Sequence, residues 1–160
     1  KMKKKILALA VIAVMAVGFG GCTGNATTKI DSAVAMANPW EIVTNMEEAR
    51  TKLGFVIEDY ADVIDEDVVS VCAGVNAIEV MDEDGNYLRK AKDDGDISGD
   101  YEKYPYEGEA EADGIQAVVK GDDADSIYVV TWRNGEFSYA YGTEEPITAL
   151  EAAVIIKTVK

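Results

Sequence analysis

The pair Asn134-Gly135 stands between two runs, 126–133 and 136–141, that are rich in β-branched and aromatic residues. Asn-Gly is the strongest short turn signal for a tight β-hairpin, because both residues accept positive φ. The last third of the chain is therefore built on an antiparallel hairpin. A two-residue turn there pairs Arg133 with Glu136, Trp132 with Phe137, Val130 with Tyr139 and Tyr128 with Tyr141, and the last three pairs share one face. The other face carries Val129, Thr131, Ser138 and Ala140. One side is heavily aromatic and the other small and mixed, the pattern of a sheet covered by helices on its aromatic side.

Further strands follow from the same signals. Residues 68–73 and 76–82 have strand composition, and Asp84-Gly85 before Tyr87-Leu88-Arg89-Lys90 marks a second hairpin. With a two-residue turn, Met81 opposes Leu88 and Glu79 opposes Lys90, so apolar and charged partners both match. Residues 115–120 form a strand joined to 126–133 through Gly121-Asp122-Asp123-Ala124-Asp125. Thr44-Asn45-Met46-Glu47 reads as a capping box opening a short helix over 45–53, with Gly54 placed to stop it. Thr148-Ala149-Leu150-Glu151 opens a second helix over 148–158. Phe55-Val56-Ile57 should enter the core, 58–67 is an acidic irregular stretch and 93–107 a long acidic loop. These readings give an α+β domain over residues 38–160, an antiparallel sheet of five or six strands with an N-terminal and a C-terminal helix packed on one face.

The N-terminal end limits where such a domain works. Lys1, Lys3, Lys4 and Lys5 precede an uncharged run over 6–19, and Gly20-Gly21-Cys22 follows at once. A basic region, an apolar region and small residues in that order are the pattern of a signal peptide over 1–21. Phe19-Gly20-Gly21-Cys22 resembles the lipobox of bacterial lipoproteins, in which the cysteine carries the lipid. Cys22 is accordingly the expected lipidation site, and the membrane the expected partner through that lipid. Residues 22–37 read as the lipidated cysteine and a flexible tether, reaching roughly 20 Å on average. The four leader lysines supply +4 of the net −15, so residues 22–160 hold 11 basic and 30 acidic side chains. A surface of net −19 repels phosphate backbones, which excludes nucleic acid as a partner.

Catalytic signatures are scarce. The chain has no histidine, which removes every Ser-His or Cys-His arrangement. No phosphate-binding glycine loop, Gly-x-Ser-x-Gly or Cys-x-x-Cys occurs, and no cofactor is expected. Asp82-Glu83-Asp84-Gly85-Asn86 has the oxygen spacing of a calcium loop, but Tyr87 stands where such a loop needs glycine, so a hairpin turn is the better reading. The aspartates at 93–96 and 122–125 read as solvated loops, so no metal ligand is assigned; weak divalent-cation binding is one alternative. Cys72, in a β-like run, reads as a small buried hydrophobe. Tyr101, Tyr104 and Tyr106 stand apart, because they fall in a polar acidic loop where burial is not obvious, and loops often carry recognition. They are the candidate binding residues.

Asn38-Pro39-Trp40-Glu41, followed by Met46-Glu47-Glu48-Ala49 and Leu53-Gly54-Phe55, resembles a family of lipoproteins from Clostridia and related Firmicutes. Lys90-Ala91-Lys92, Asp96-Ile97-Ser98-Gly99-Asp100-Tyr101, Val130-Thr131-Trp132 and Phe137-Ser138-Tyr139 extend the likeness over most of 38–142. The resemblance implies a lipid-anchored domain of unknown function on the outer face of a Gram-positive membrane, with no catalytic residues to carry over. The expectation is a non-catalytic module that binds an envelope protein, peptide or polymer. A carboxylate-based hydrolase acting on an envelope component is the alternative from another class.

Overall fold

The chain divides into two units, Lys1–Ala35 and Met36–Lys160, and the computed structural model describes residues 38–159, within the second. The expected signal peptide, the expected tether and Cys22 lie outside the described residues. Two antiparallel meanders make the sheet. The first holds β1 (Glu41–Val43), β2 (Val68–Cys72), β3 (Ala77–Met81) and β4 (Tyr87–Ala91). The second holds β5 (Tyr106–Ala112), β6 (Ile115–Asp123), β7 (Ser126–Asn134) and β8 (Phe137–Ile147). β4 pairs with β8, which sets the order β1-β2-β3-β4-β8-β7-β6-β5.

The α+β class is as expected, but the described residues hold eight strands rather than five or six. The two extra strands are the edges. β1 has three residues, too few to show periodicity, and β5 reads Tyr-Glu-Gly-Glu-Ala-Glu-Ala, with no apolar run to announce it. Glu107, Glu109 and Glu111 are exposed along that edge strand, a charge pattern that discourages another chain from pairing there.

Register fixes the two faces of the sheet. Val43, Val69, Val80, Leu88, Tyr141, Val130 and Val119 stand opposite one another in turn across seven strands. All are buried, in one cluster with Ala49 of α1 (Met46–Leu53) and with Ala152, Ile155 and Ile156 of α2 (Ala149–Thr158). Both helices therefore cover this face. Each fully buried aliphatic side chain there contributes about 1.5–3 kcal/mol. Val56 and Ile57 enter the core as expected.

Helix α2 has the expected capping box between Thr148 and Glu151. In α1 the cap sits one residue later than expected. Asn45, not Thr44, accepts from the Glu48 N–H at 3.0 Å, and Glu48 reaches back to the Thr44 N–H at 2.8 Å. Asparagine is the better N-cap, and it wins the local competition.

Both hairpins also differ in register. Between β3 and β4 the loop is Glu83-Asp84-Gly85, closed by the Asp82 N–H donating to the Asn86 carbonyl, with Gly85 at φ 90°. Leu88 thus meets Val80 and Arg89 meets Glu79, instead of Leu88 meeting Met81 and Lys90 meeting Glu79. A slip of one residue exchanges faces. Lys90 turns to the helix side, with its ammonium 4.5 Å from the Phe137 ring centroid, and burial pushes its pKa down. Between β7 and β8 the turn is Gly135-Glu136, with Gly135 at φ 62° and Asn134 opposite Phe137. This displacement is by two residues, so the faces are kept. Trp132 meets Tyr139, their rings 5.2 Å apart and nearly parallel.

Candidate functional site: a tyrosine-lined cleft

The face of the sheet away from the helices is crossed by the connection between the two meanders, residues 92–105. A single side chain holds much of it. Arg89 Nε donates to Glu79 Oε2 at 2.6 Å, and Nη1 donates to the carbonyls of Ile97, at 3.2 Å, and Ser98. Its guanidinium lies 4.5 Å from the Tyr87 ring centroid and 5.3 Å from that of Trp40. Ser70 Oγ donates to the other Glu79 oxygen. Gly99 sits at φ 66°, and a Cβ there would press on the guanidinium. Ser138 Oγ donates to the Asp93 carbonyl and Lys120 pairs with Asp96, so the crossing is tied at three places. Beneath it Cys72 is buried with Ala77 and Ala91, packed against Trp40 and Ile97, as a small free hydrophobe.

Beside the crossing, a bulge remakes the sheet. Lys120 stands opposite Val129 and Gly121 opposite Ile127, which leaves Tyr128 without a partner in β6. Across the other edge of β7, Val129 meets Gly142 while Ile127 meets Ile147, so residues 143–146 of β8 also loop out. The expected pairing of Tyr128 with Tyr141 is therefore overturned. Tyr128 leaves the aromatic stripe and joins the helix-free face, the re-aiming that bulges provide. Gly121 makes this possible, because a Cβ at 121 would overlap the Ser126 carbonyl oxygen.

The bulge and the crossing enclose an open cleft of about 890 Å³. Tyr104 and Tyr128 stack along one side, ring centroids 6.0 Å apart at 20°. Tyr87 forms the floor, its ring lying against Gly142, where any side chain would overlap it. The Tyr87 hydroxyl is buried and hydrogen-bonds to none of the described residues; burial pushes its pKa up to about 12, opposed by the Arg89 charge. Tyr101 stands on the rim, 94% exposed. Asp100, Glu102, Asp122 and Glu144 supply acid, against Arg89 and Lys103. Asp100 also organises the loop, accepting from the Glu102 N–H at 2.7 Å and the Tyr104 hydroxyl at 2.8 Å. Burial, and then that bond, raise the Tyr104 pKa.

Of the three tyrosines singled out in the sequence, Tyr101 and Tyr104 line this cleft and Tyr106 does not. Tyr106 begins β5, half-buried against the helix-side core, its ring over Gly108. Tyr87 and Tyr128 were not anticipated. The glycine interrupting the aromatic run at Gly142 was the available sign, since glycine inside a strand often marks a bulge or a close approach.

The aspartate-rich turns are held by their own backbone. Asp82 Oδ1 accepts from the N–H groups of Asp84 and Asn86, Asp93 from Gly95 and Asp123 from Asp125. Among the described residues no three acidic or thiol side chains converge as metal ligands. None of the described helices is long and apolar enough to cross a membrane. Comparison with protein-family models, curated proteins and solved structures finds no match to this chain.

Proposed function

We propose that the protein is a lipid-anchored, extracytoplasmic binding module that recognises an envelope protein, peptide or polymer and does no chemistry on it. The observation that carries the reading is the cleft. Three tyrosines, from β4, β7 and the crossing segment, meet there among charged side chains. Aromatic surface with a few placed polar groups is the usual make-up of a recognition site. A scaffold of eight paired strands holds it, while its rim is a loop, the arrangement that favours recognition.

The location rests on the sequence. The basic leader, the short apolar run and the small residues before Cys22 support export and lipidation. Anchoring would then come from acyl chains, each buried methylene contributing about 0.8 kcal/mol, with two chains giving stable attachment. The resemblance to Clostridia-type lipoproteins supports the same placement.

Two arms test the reading. Cells fed a labelled fatty-acid analogue should label the wild type and not Cys22→Ser, and label in the mutant refutes the anchor. Capture from envelope extracts by the wild-type chain should exceed capture by Tyr104→Leu. Equal capture by both, no greater than by an unrelated acidic protein, refutes the cleft as the binding surface.

A further inference from the structure

The cleft can be read for the sign and shape of what it takes. Its lining holds the carboxylates of Asp100, Glu102, Asp122 and Glu144, and only two cationic side chains. One of these, Arg89, is already paired with Glu79. The acids are spread along the cleft rather than gathered, which suits an extended organic cation better than a metal ion.

The aromatic pair adds to this. The hydroxyls of Tyr104 and Tyr128 donate to Asp100 and Asp122 respectively, at 2.8 and 3.4 Å. A phenol that donates to a carboxylate is the more electron-rich, and the face of such a ring attracts a cation. Arg89 already shows the mode, with its guanidinium over the Tyr87 ring. The Tyr87 ring, packed against Gly142 with its hydroxyl buried, supplies the floor on which such a ligand would lie.

We propose that the cleft binds a short basic peptide segment, an arginine or lysine side chain lying against the Tyr104–Tyr128 pair among the four carboxylates, above the floor that Tyr87 forms. The assignment rests on the reading of the cleft as a binding site. A cleft of 890 Å³ is within the range of sites that enclose ligands of a few residues.

The test is calorimetric titration of the full chain at physiological salt with the blocked peptide Gly-Arg-Gly-Arg-Gly. The probes set beside it are its citrulline counterpart, which keeps the shape and removes the charge, and an N-acetylglucosamine tetramer. Binding of the arginine peptide should weaken about tenfold with citrulline and about tenfold in Tyr104→Leu, the size of one desolvated cation–π contact. Glu144→Gln, an exposed change that leaves folding alone, should weaken it about threefold, as the loss of one surface ion pair does. A triple variant on the helix side of the sheet, Glu47→Gln with Asp62→Asn and Asp65→Asn, should bind within about twofold of wild type, because exposed charges separated from the cleft by the sheet are screened by solvent.

Equal binding of the citrulline peptide, or a loss in the triple variant as large as in Tyr104→Leu, overturns the proposal in favour of diffuse attraction to an acidic protein. Binding of the sugar tetramer alone, abolished by Tyr104→Leu, overturns the peptide assignment while leaving the cleft as the binding site. Binding of no probe, with envelope capture still dependent on Tyr104, likewise removes the peptide and spares the site. Failure of both experiments removes both readings.

Discussion

Arg89 should be the most costly polar side chain to remove, and the cost can be worked from its contacts. In Arg89→Met the side chain keeps most of its bulk against Tyr87 and Trp40 but gives up its charge. Glu79, 6% exposed, would then keep only the Ser70 hydroxyl at 3.3 Å. Stranding one member of a buried ion pair costs roughly 3–5 kcal/mol. The carbonyls of Ile97 and Ser98 also lose a charged donor, but they lie on a connection that can reach water, so we add little for them. A loss of about 4 kcal/mol is therefore expected, a large part of the roughly 5–15 kcal/mol that holds a domain together. Urea unfolding, read through the fluorescence of Trp40 and Trp132, measures it. The double variant Glu79→Leu/Arg89→Met removes the stranded charge and should recover most of the loss, ending within about 1–2 kcal/mol of wild type. Amide exchange over 97–105 should still quicken in both variants, because the clasp on the crossing is gone. A single variant that loses under about 1 kcal/mol, or a double variant no better than the single, refutes the argument that Glu79 depends on Arg89.

Trp132→Ala should cost about 3–5 kcal/mol in the same assay, since the ring is 4% exposed and stacked on Tyr139; a loss under about 1 kcal/mol would place that face in solvent. Gly121→Ala should cost about 1–3 kcal/mol through overpacking against Ser126 and should flatten the bulge, which nuclear Overhauser contacts between the Tyr104 and Tyr128 rings would report by vanishing. The phenols of Tyr60, Tyr87 and Tyr139 are pushed up to about 12 from an ordinary 10.0. For Tyr60 the hydrogen bond to Glu66 is the main cause, and for the other two it is burial. The folded chain keeps protons that the unfolded chain releases, so this stability is complete below pH 10 and falls between about 10 and about 12. Stability measured across that range should fall steadily, and stability that is flat to pH 12 contradicts the burial of Tyr87 and Tyr139 and the Tyr60–Glu66 hydrogen bond.

Much of the fold was legible because the signals were local. The ends of α2 and α1 were written in Thr148-Ala149-Leu150-Glu151 and in Gly54, with the α1 cap one residue out because Asn45 takes the place expected of Thr44, and the side of the aromatic hairpin that the helices cover followed from alternation. Alternation also survived the wrong turn at Asn134-Gly135, because the register moved by two residues and left Trp132, Tyr139 and Tyr141 on the expected face. At Asp84-Gly85 the slip was of one residue, and the pairing of Glu79 was assigned to the wrong cation. No local signal separates a two-residue from a three-residue loop when Asp82 can close either through its side chain. The site was half legible. Tyr101 and Tyr104 stood out as aromatics in a polar loop, but their partner Tyr128 sat inside a strand whose alternation assigned it to the core. The bulge at Gly121, packed under Ser126 across the β6–β7 hairpin, turns that ring outward, and alternation within one strand does not show it.

The central claim is that the cleft, and not the acidic surface at large, is where the partner sits. A photo-reactive phenylalanine placed at Tyr101 on the rim, and separately at exposed Val75 outside the cleft lining, tests it in intact cells that make the full chain. The account predicts one discrete cross-linked species from position 101, lost when Tyr104→Leu is added, and none from position 75. The same adduct from both positions, or an adduct at 101 that persists in Tyr104→Leu, would contradict it.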